Sequence, residues 1–195
     1  MGAVATALSI AAFAPYIFDT ITGETRPQRA AWLIWAVLST ISFLSNLYEG
    51  ASTSAAFLGV QAGGTIIIAV LAIFKGRGTF LRRTDYAILF ISGIGLVLWY
   101  HTDNAAYALA ISLGLSMLAG FVTIIKSYVT PESETLSTWV ISFFAAAAGI
   151  MAVGSNDPVL LAYPVYLFAL YTCIITAFAL GKLRLRRTAN GFAKG

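Results

Sequence analysis

Seven stretches of the chain contain no Asp, Glu, Lys or Arg: residues 1–18, 30–48, 50–74, 86–102, 104–125, 135–156 and 158–181. Each is close to the roughly 20 mostly apolar residues that one helix needs to cross a bilayer. Only 10% of the 195 residues are charged and 59% are apolar, whereas a soluble domain carries about 25% charged residues. A water-soluble globule is therefore excluded, because too few polar side chains exist to cover one. Runs such as "LGVQAGGTIIIAVLAIF" show no strict alternation, which excludes a β-barrel. The expected fold is all-α with seven transmembrane helices. The first run has no positive segment before it, since the first basic residue is Arg26, so it is read as a span and not as a cleaved leader. No segment between the runs is long enough for a second domain. The single cysteine, Cys173, lies inside the last run and is read as packing.

Seven spans place alternate connections on opposite sides. One side receives the connections after spans 1, 3 and 5 and the C-terminal tail, and with them all 12 Lys and Arg residues; the other receives none. Basic residues in short connections stay cytoplasmic, so the N-terminus is expected outside and the C-terminus inside. The net charge of +4 then reflects topology and attraction to anionic lipid at the cytoplasmic face, and no nucleic-acid partner is expected. The expected home is the cell's inner (plasma) membrane.

A shift of 104 residues lays Pro27 on Pro131, Trp35 on Trp139, Gly50 on Gly154 and Phe74 on Phe178. Spans 1–3 then overlay spans 5–7 without a gap. A three-helix unit ends on the side opposite its start, so one linking helix must cross back before the unit repeats in the same orientation. The expected organisation is a parallel 3+1+3 repeat: a first unit over 1–78, linking helix 4 over 79–103, a second unit over 104–182 and a basic cytoplasmic tail over 183–195. Pro suits the first turn of a helix, where its missing N–H costs nothing. Thr130 and Pro131 are accordingly read as the start of span 6, with Glu132 and Glu134 in its first turn. Thr25 and Pro27 are read as a looser start of span 2, and "SNDPV" (155–159) as the cap of span 7.

The 3+1+3 layout, the N-out orientation and the prolines at repeated helix ends resemble the SWEET, SemiSWEET and PQ-loop superfamily. "GETRPQRAAWLIW" and "KSYVTPESE" also resemble small bacterial seven-helix members. In that superfamily Pro-Gln usually ends helix 1 or 5. Here "PYIFD" (15–19) and "AGFVT" (119–123) occupy those places, and Pro27-Gln28 stands at the start of span 2. The resemblance implies facilitated movement of a small solute, often a sugar, through a midplane pocket. That pocket would be lined by polar side chains on helices 3 and 7 and aromatic ones on helices 2 and 6.

Depth selects candidates on those helices. At 1.5 Å per residue, Trp35 and Trp139 lie about 12 Å past Pro27 and Pro131, too deep for an interfacial belt; Trp32 and Trp99 fit the edges. Gln61 and Tyr166 come near the midplane, and a midplane amide must face the bundle to find partners. Gln61, Trp35, Trp139 and Tyr166 are therefore the candidate solute-binding residues. Asp19, Arg26 and Arg29 are candidates for an inner gate or a coupling site, with Asp19 paired to either arginine, and Pro15 and Pro164 for kinks. Ser112, Ser116 and Gly120 form a small-residue seam on span 5. With no HExxH, GxSxG or GxxxxGK[ST] pattern, and one His and one Cys, no enzyme activity, metal or cofactor is expected. The expected function is a carrier of a small neutral polar solute, with a non-transporting receptor or accessory subunit as the alternative; a homo-oligomer stays open. The topology is checked by reporter fusion: a phosphatase that is active only outside the cytoplasm, fused at the C-terminus, should be inactive, and an active one would reverse the assignment.

Overall fold

The computed structural model describes residues 2–48, 52–78, 100–102, 105–154 and 156–192, together with positions 90, 94 and 97. Among these residues the chain is helical: α1 (Gly2–Thr22), α2 (Arg29–Tyr48), α3 (Ser52–Lys75), α4 (Ala105–Val129), α5 (Leu136–Val153) and α6 (Pro158–Phe192), with a 3-10 turn at Pro131–Ser133. The helices α4 to α6 are spans 5 to 7. Five helical stretches are long and apolar enough to cross a membrane: Gly2–Thr22, Ala56–Lys75, Leu109–Val129, Leu136–Val153 and Pro158–Arg187. Arg29–Leu44 adds a shorter apolar one. This is the architecture of a multi-pass membrane protein. The linking helix expected over 79–103 is described only at Phe90, Ile94, Val97 and 100–102, each helical. Trp99, Arg82, Arg83, Glu49, Asp103 and Ser155 lie outside the described residues.

The helices close a ring. α1 packs on α3, α3 on α2, α2 on α4, α4 on α6, α6 on α5, and α5 back on α1. Within α1–α3 and within α4–α6 the third helix lies between the first two, and the first helix of each trio meets the second helix of the other. Phe18, Phe74 and Phe121 point outward. Lipid gives helices no hydrophobic reason to associate, so contact faces favour small residues that let backbones approach. The buried stripe of α1 is Ala5, Ser9, Ala12, Tyr16 and Thr20, recurring at three and four residues. α5 buries Thr138, Ser142, Ala145, Ala146 and Gly149.

One contact recurs in both trios with the partners exchanged. On α1 the Phe13 ring lies over Gly64 of α3, where an added Cβ would come within 2.4 Å of it. On α4 the small residue is Gly120, and Leu170 of α6 covers it at 2.6 Å. Phe13 and Gly120 are 107 residues apart. So are the ends of α1 and α4 (Thr22 and Val129) and the starts of α2 and α5 (Arg29 and Leu136). At this junction the helix boundaries are thus offset by three residues more than the Pro-to-Pro spacing of 104.

That offset corrects two expected helix starts. Pro131 opens a separate 3-10 turn, in which Ser133 N–H donates to Thr130 O and Glu134 N–H to Pro131 O at 3.0 and 3.2 Å. Glu134 is then extended, at φ −124 and ψ 141, and α5 begins only at Leu136 after Thr135. Pro27 likewise precedes α2. Its carbonyl accepts from Arg77 N–H at 2.8 Å while Arg29 N–H donates to Arg77 O at 3.1 Å, so the Pro-Gln strip is pinned to the segment after α3. Trp35 is therefore six residues into α2, about 9 Å, but Trp139 is only three into α5, about 4.5 Å, the depth of Trp32. The start of α6 is as expected: Asp157 Oδ1 accepts from Val159 N–H at 2.8 Å, with Pro158 following it. α6 also runs on through the basic tail to Phe192. Pro15 and Pro164 sit inside α1 and α6, each removing one helical hydrogen bond.

Basic side chains gather at one end and cap helix C-termini, whose last carbonyls have no helical donor. Lys75 Nζ donates to Ile21 O at the end of α1. Arg184 donates to Val129 O at the end of α4 at 3.0 Å. Arg29 Nε and Nη1 donate to Ala72 O and Gly78 O at 3.0 and 2.8 Å.

The Phe13–Gly64 contact makes a checkable contrast. Gly64→Val has to displace the ring and should cost about 1–3 kcal/mol. Gly63→Ala meets nothing within 4 Å and should stabilise by about 0.5–1 kcal/mol through helix propensity. Thermal melting in detergent separates the two; equal melting temperatures would remove Phe13 from the contact.

Candidate functional site

Side chains from all six helices converge on one cavity. Phe13 comes from α1, Trp32, Trp35 and Ser39 from α2, Gln61 and Thr65 from α3, and Ser116 from α4. α5 supplies Thr138, Trp139 and Ser142, and α6 supplies Tyr163, Tyr166, Leu167, Leu170 and Tyr171. The four residues expected to bind solute, Gln61, Trp35, Trp139 and Tyr166, all line it. They do not share one depth: Trp139 belongs to the floor on the basic side, because α5 starts later than Pro131 suggested. Among the described residues, no Asp, Glu, Lys or Arg lines the cavity. The wall is aromatic rings interleaved with hydroxyls and one amide, a lining that covers apolar faces and offers donors and acceptors without formal charge. The cavity volume is about 40 Å³.

The polar lining is unevenly satisfied. In the first trio Ser39 and Thr65 hydroxyls bond each other at 2.7 Å, and Gln61 Nε2 donates to Ser9 Oγ at 3.4 Å. Tyr171 faces Gln61 and Ser142. In the second trio two hydroxyls have no hydrogen-bond partner, Thr138 Oγ1 and Tyr166 Oη. Tyr166 Oη lies beside Ser116 and the Trp35 indole without bonding geometry to either; the indole N–H instead donates to Ser116 O at 3.4 Å. Thr138 is 3% exposed and Tyr166 8%. Buried hydroxyls are normally paired, and an unpaired one needs an explanation.

Toward the basic end the cavity is sealed in two layers. The first is aromatic. Tyr16 packs on Trp32 at 4.9 Å between centroids and edge-on to Trp139 at 5.9 Å, and Trp32 stacks on Trp139 at 6.3 Å. The second layer is polar and centres on Glu134, whose side chain is 1% exposed. Its Oε1 accepts from Lys126 Nζ at 2.5 Å. Its Oε2 accepts from Trp139 Nε1 at 3.1 Å and from the Tyr16 hydroxyl at 3.5 Å, and Tyr16 Oη in turn accepts from Trp32 Nε1 at 3.2 Å. Lys126 spends its other two protons on Arg26 O at 2.7 Å and Ser133 O at 3.3 Å. Every hydrogen-bonding valence of the ammonium is used.

The expected gate residues fall differently. Asp19 does not pair with Arg26 or Arg29; its Oδ2 accepts from Thr135 Oγ1 at 2.7 Å. The Thr135 proton is thereby committed, so Thr25 Oγ1 donates to Thr135 Oγ1 at 2.5 Å. Thr135 consequently makes no side-chain cap on α5. Arg26 contributes its carbonyl, and Arg29 is occupied at the end of α3. Asp19 departs from expectation because the 131–135 connection folds inward instead of starting a helix and presents Glu134 and Thr135 to α1. Sequence reading missed Glu134, Lys126, Tyr16 and Thr135 as site residues. Their one signal was that Lys126 and Glu134 flank a short connection, which does not say whether it turns to water or inward.

Compared with known proteins, the chain matches no protein-family model, no curated protein and no solved structure.

Proposed function

We propose that this protein is a membrane carrier that moves a small neutral polar solute by alternating access through the six-helix cavity, in a form closed toward its basic end. The observation that carries the reading is the cavity itself. Among the described residues it draws on all six helices α1–α6, holds rings and hydroxyls but no charge, and leaves Thr138 Oγ1 and Tyr166 Oη without partners. An unpaired buried hydroxyl costs about 1–3 kcal/mol, and a solute that pairs with it removes the cost. A charged solute would meet no counter-charge there and is disfavoured.

The packing supports the finer architecture in this reading. The exchange of first and second helices between trios, the inverted Phe13–Gly64 and Gly120–Leu170 contacts, and the matching carbonyl caps fit two units related by a pseudo-twofold axis along the membrane normal. With the linking helix expected over 79–103, they are compatible with the 3+1+3 arrangement of the SWEET-like superfamily. The gathering of basic side chains at one end supports a cytoplasmic assignment for it, with the N-terminus outside, in an inner (plasma) membrane. Prolines inside α1 and α6 would give each trio a place to bend. A cavity of about 40 Å³ is far smaller than the roughly 150 Å³ that holds a benzene and too small for a sugar, which fits an empty closed state and requires the helices to part before loading. A receptor or accessory subunit on the same fold is the alternative, and the seal at the basic end favours the carrier.

Reconstituted vesicles decide between them. Protein-containing vesicles should equilibrate at least one member of a panel of labelled sugars, neutral amino acids and uncharged vitamins faster than empty ones; no difference across the panel would favour the receptor. Once a solute is known, Tyr166→Phe should hold or raise the melting temperature, since it deletes an unpaired hydroxyl, yet weaken binding by about 1 kcal/mol. Gln61→Leu should weaken binding by about 1–3 kcal/mol, because one solute group is left unpaired. Unchanged affinity in both variants would place the solute elsewhere.

A further inference from the structure

The bonds at the basic end divide into two kinds. The Lys126–Glu134 ion pair and the Trp139 Nε1–Glu134 bond lie wholly within the second trio and the connection that precedes α5. No bond that crosses between trios joins two opposite charges: Tyr16 hydroxyl to Glu134, Lys126 to the Arg26 carbonyl and Thr135 to Asp19 each have one charged partner, and Thr25 to Thr135 and the ring contacts of Tyr16 and Trp32 with Trp139 have none. Parting the trios here leaves the buried cation and anion together. It breaks hydrogen bonds that water replaces.

Glu134 is the one group that touches every layer. Through Trp139 it reaches the cavity, through Tyr16 it reaches α1 and, by way of Trp32, α2, and through Lys126 it reaches α4. The ionisable groups facing it are Lys126 from α4 and Tyr16 from α1, with Asp19 one hydroxyl further away behind Thr135. We propose that Glu134 is the latch of the basic end. It is a positioning residue that holds the Tyr16 hydroxyl and the Trp139 indole on one carboxylate oxygen, so that a solute displacing Trp139 in the cavity loosens the bond to Tyr16 and opens that end. The proposal rests on the carrier reading, and it makes the Lys126–Glu134 pair a fixed pedestal that moves with the second trio.

The test reads access to the cavity and needs no known solute. Ser142 lines the cavity three residues beyond Trp139, so a reagent coming from the basic end must pass the seal to reach it. In a Cys173→Ser background, the Ser142→Cys sulfur is labelled with a membrane-impermeant maleimide in sealed vesicles. Glu24→Cys, on the exposed connection at the same end, marks which vesicle face presents that end. Labelling from that face should be slow with Glu134 intact, at least fivefold faster in Glu134→Gln, and two- to threefold faster in Tyr16→Phe, which keeps the ring packing and loses only the hydroxyl. Glu134→Asp keeps the charge beside Lys126 but withdraws it from Tyr16 and Trp139, and should fall between wild type and Glu134→Gln. If Glu134→Gln does not fold, the Tyr16→Phe and Glu134→Asp comparison stands alone. Equal labelling in Tyr16→Phe, Glu134→Asp and the parent overturns the latch, whatever solute assays show. Accelerated labelling in a protein that equilibrates no solute would keep the latch and retire the carrier.

Discussion

A buried carboxylate in a chain with so few charges has to be accounted for on every lone pair. Moving an ion from water into a protein interior costs several kcal/mol even after relaxation, and a buried pair offsets this only when geometry and additional hydrogen bonds are good. At Glu134 they are: an ammonium on one oxygen and an indole N–H and a phenol on the other. Lys126 is equally committed, with two carbonyls beside its carboxylate. The requirement propagates. Lys126 must stand near the end of α4, the 131–135 connection must fold inward, α5 must start late, and Tyr16 and Trp139 must meet. The aromatic floor of the cavity is thus placed by an electrostatic constraint lying beneath it.

That constraint acts on one trio only, and it accounts for the way the two halves differ. In the first, the connection between α1 and α2 is short and pinned to Arg77 by two backbone bonds, and α2 begins two residues after Pro27. In the second, the corresponding connection takes the ion pair and makes a 3-10 turn, and the helix begins five residues after Pro131. A similar asymmetry marks the cavity wall. Ser39, Thr65 and Gln61 are paired within the first half, while Thr138 and Tyr166 in the second are not. Helix pairing repeats between the trios; the chemistry of the polar groups does not.

The legible part of the fold was the part governed by counting. Charge-free runs of about 20 residues marked the helices, and the Asp157-Pro158 pair marked the start of α6. Trp35, Gln61 and Tyr166 were traceable because a deep polar or amphipathic group on an otherwise apolar helix has to face inward. Trp139 was found with its depth misjudged, because Pro131 is as compatible with a 3-10 turn as with the first turn of an α-helix, and the choice depends on tertiary partners for Glu134 and Thr135. Asp19 was read as the partner of a nearby arginine on charge alone. The closer competitor was a neutral hydroxyl on a segment 116 residues away, which no local pattern announces. Arg29 was drawn off by helix-end carbonyls, a demand present at every helix terminus but assignable only once the neighbouring ends are known.

A seal built this way suits a transporter better than a permanent plug. If Lys126 and Glu134 belonged to different trios, opening would strand two charges in a largely apolar bundle, and the closed form would be held by a penalty of about 3–5 kcal/mol for breaking the pair. Because the pair stays on one side, opening exchanges single hydrogen bonds for water and strands neither charge; the Thr25–Thr135 bond has a net value of about 0.5–1.5 kcal/mol, and those to Glu134, Asp19 and Lys126 about 1.5–3 each. The Tyr16 bond is also the longest of the three on Glu134, at 3.5 Å, and it is the one that spans the two halves. The ion pair therefore fixes the shape of one half, and hydrogen bonds that water can replace join the halves. In the proposed carrier, that partition is what a solute with a few hydrogen bonds to offer would act on.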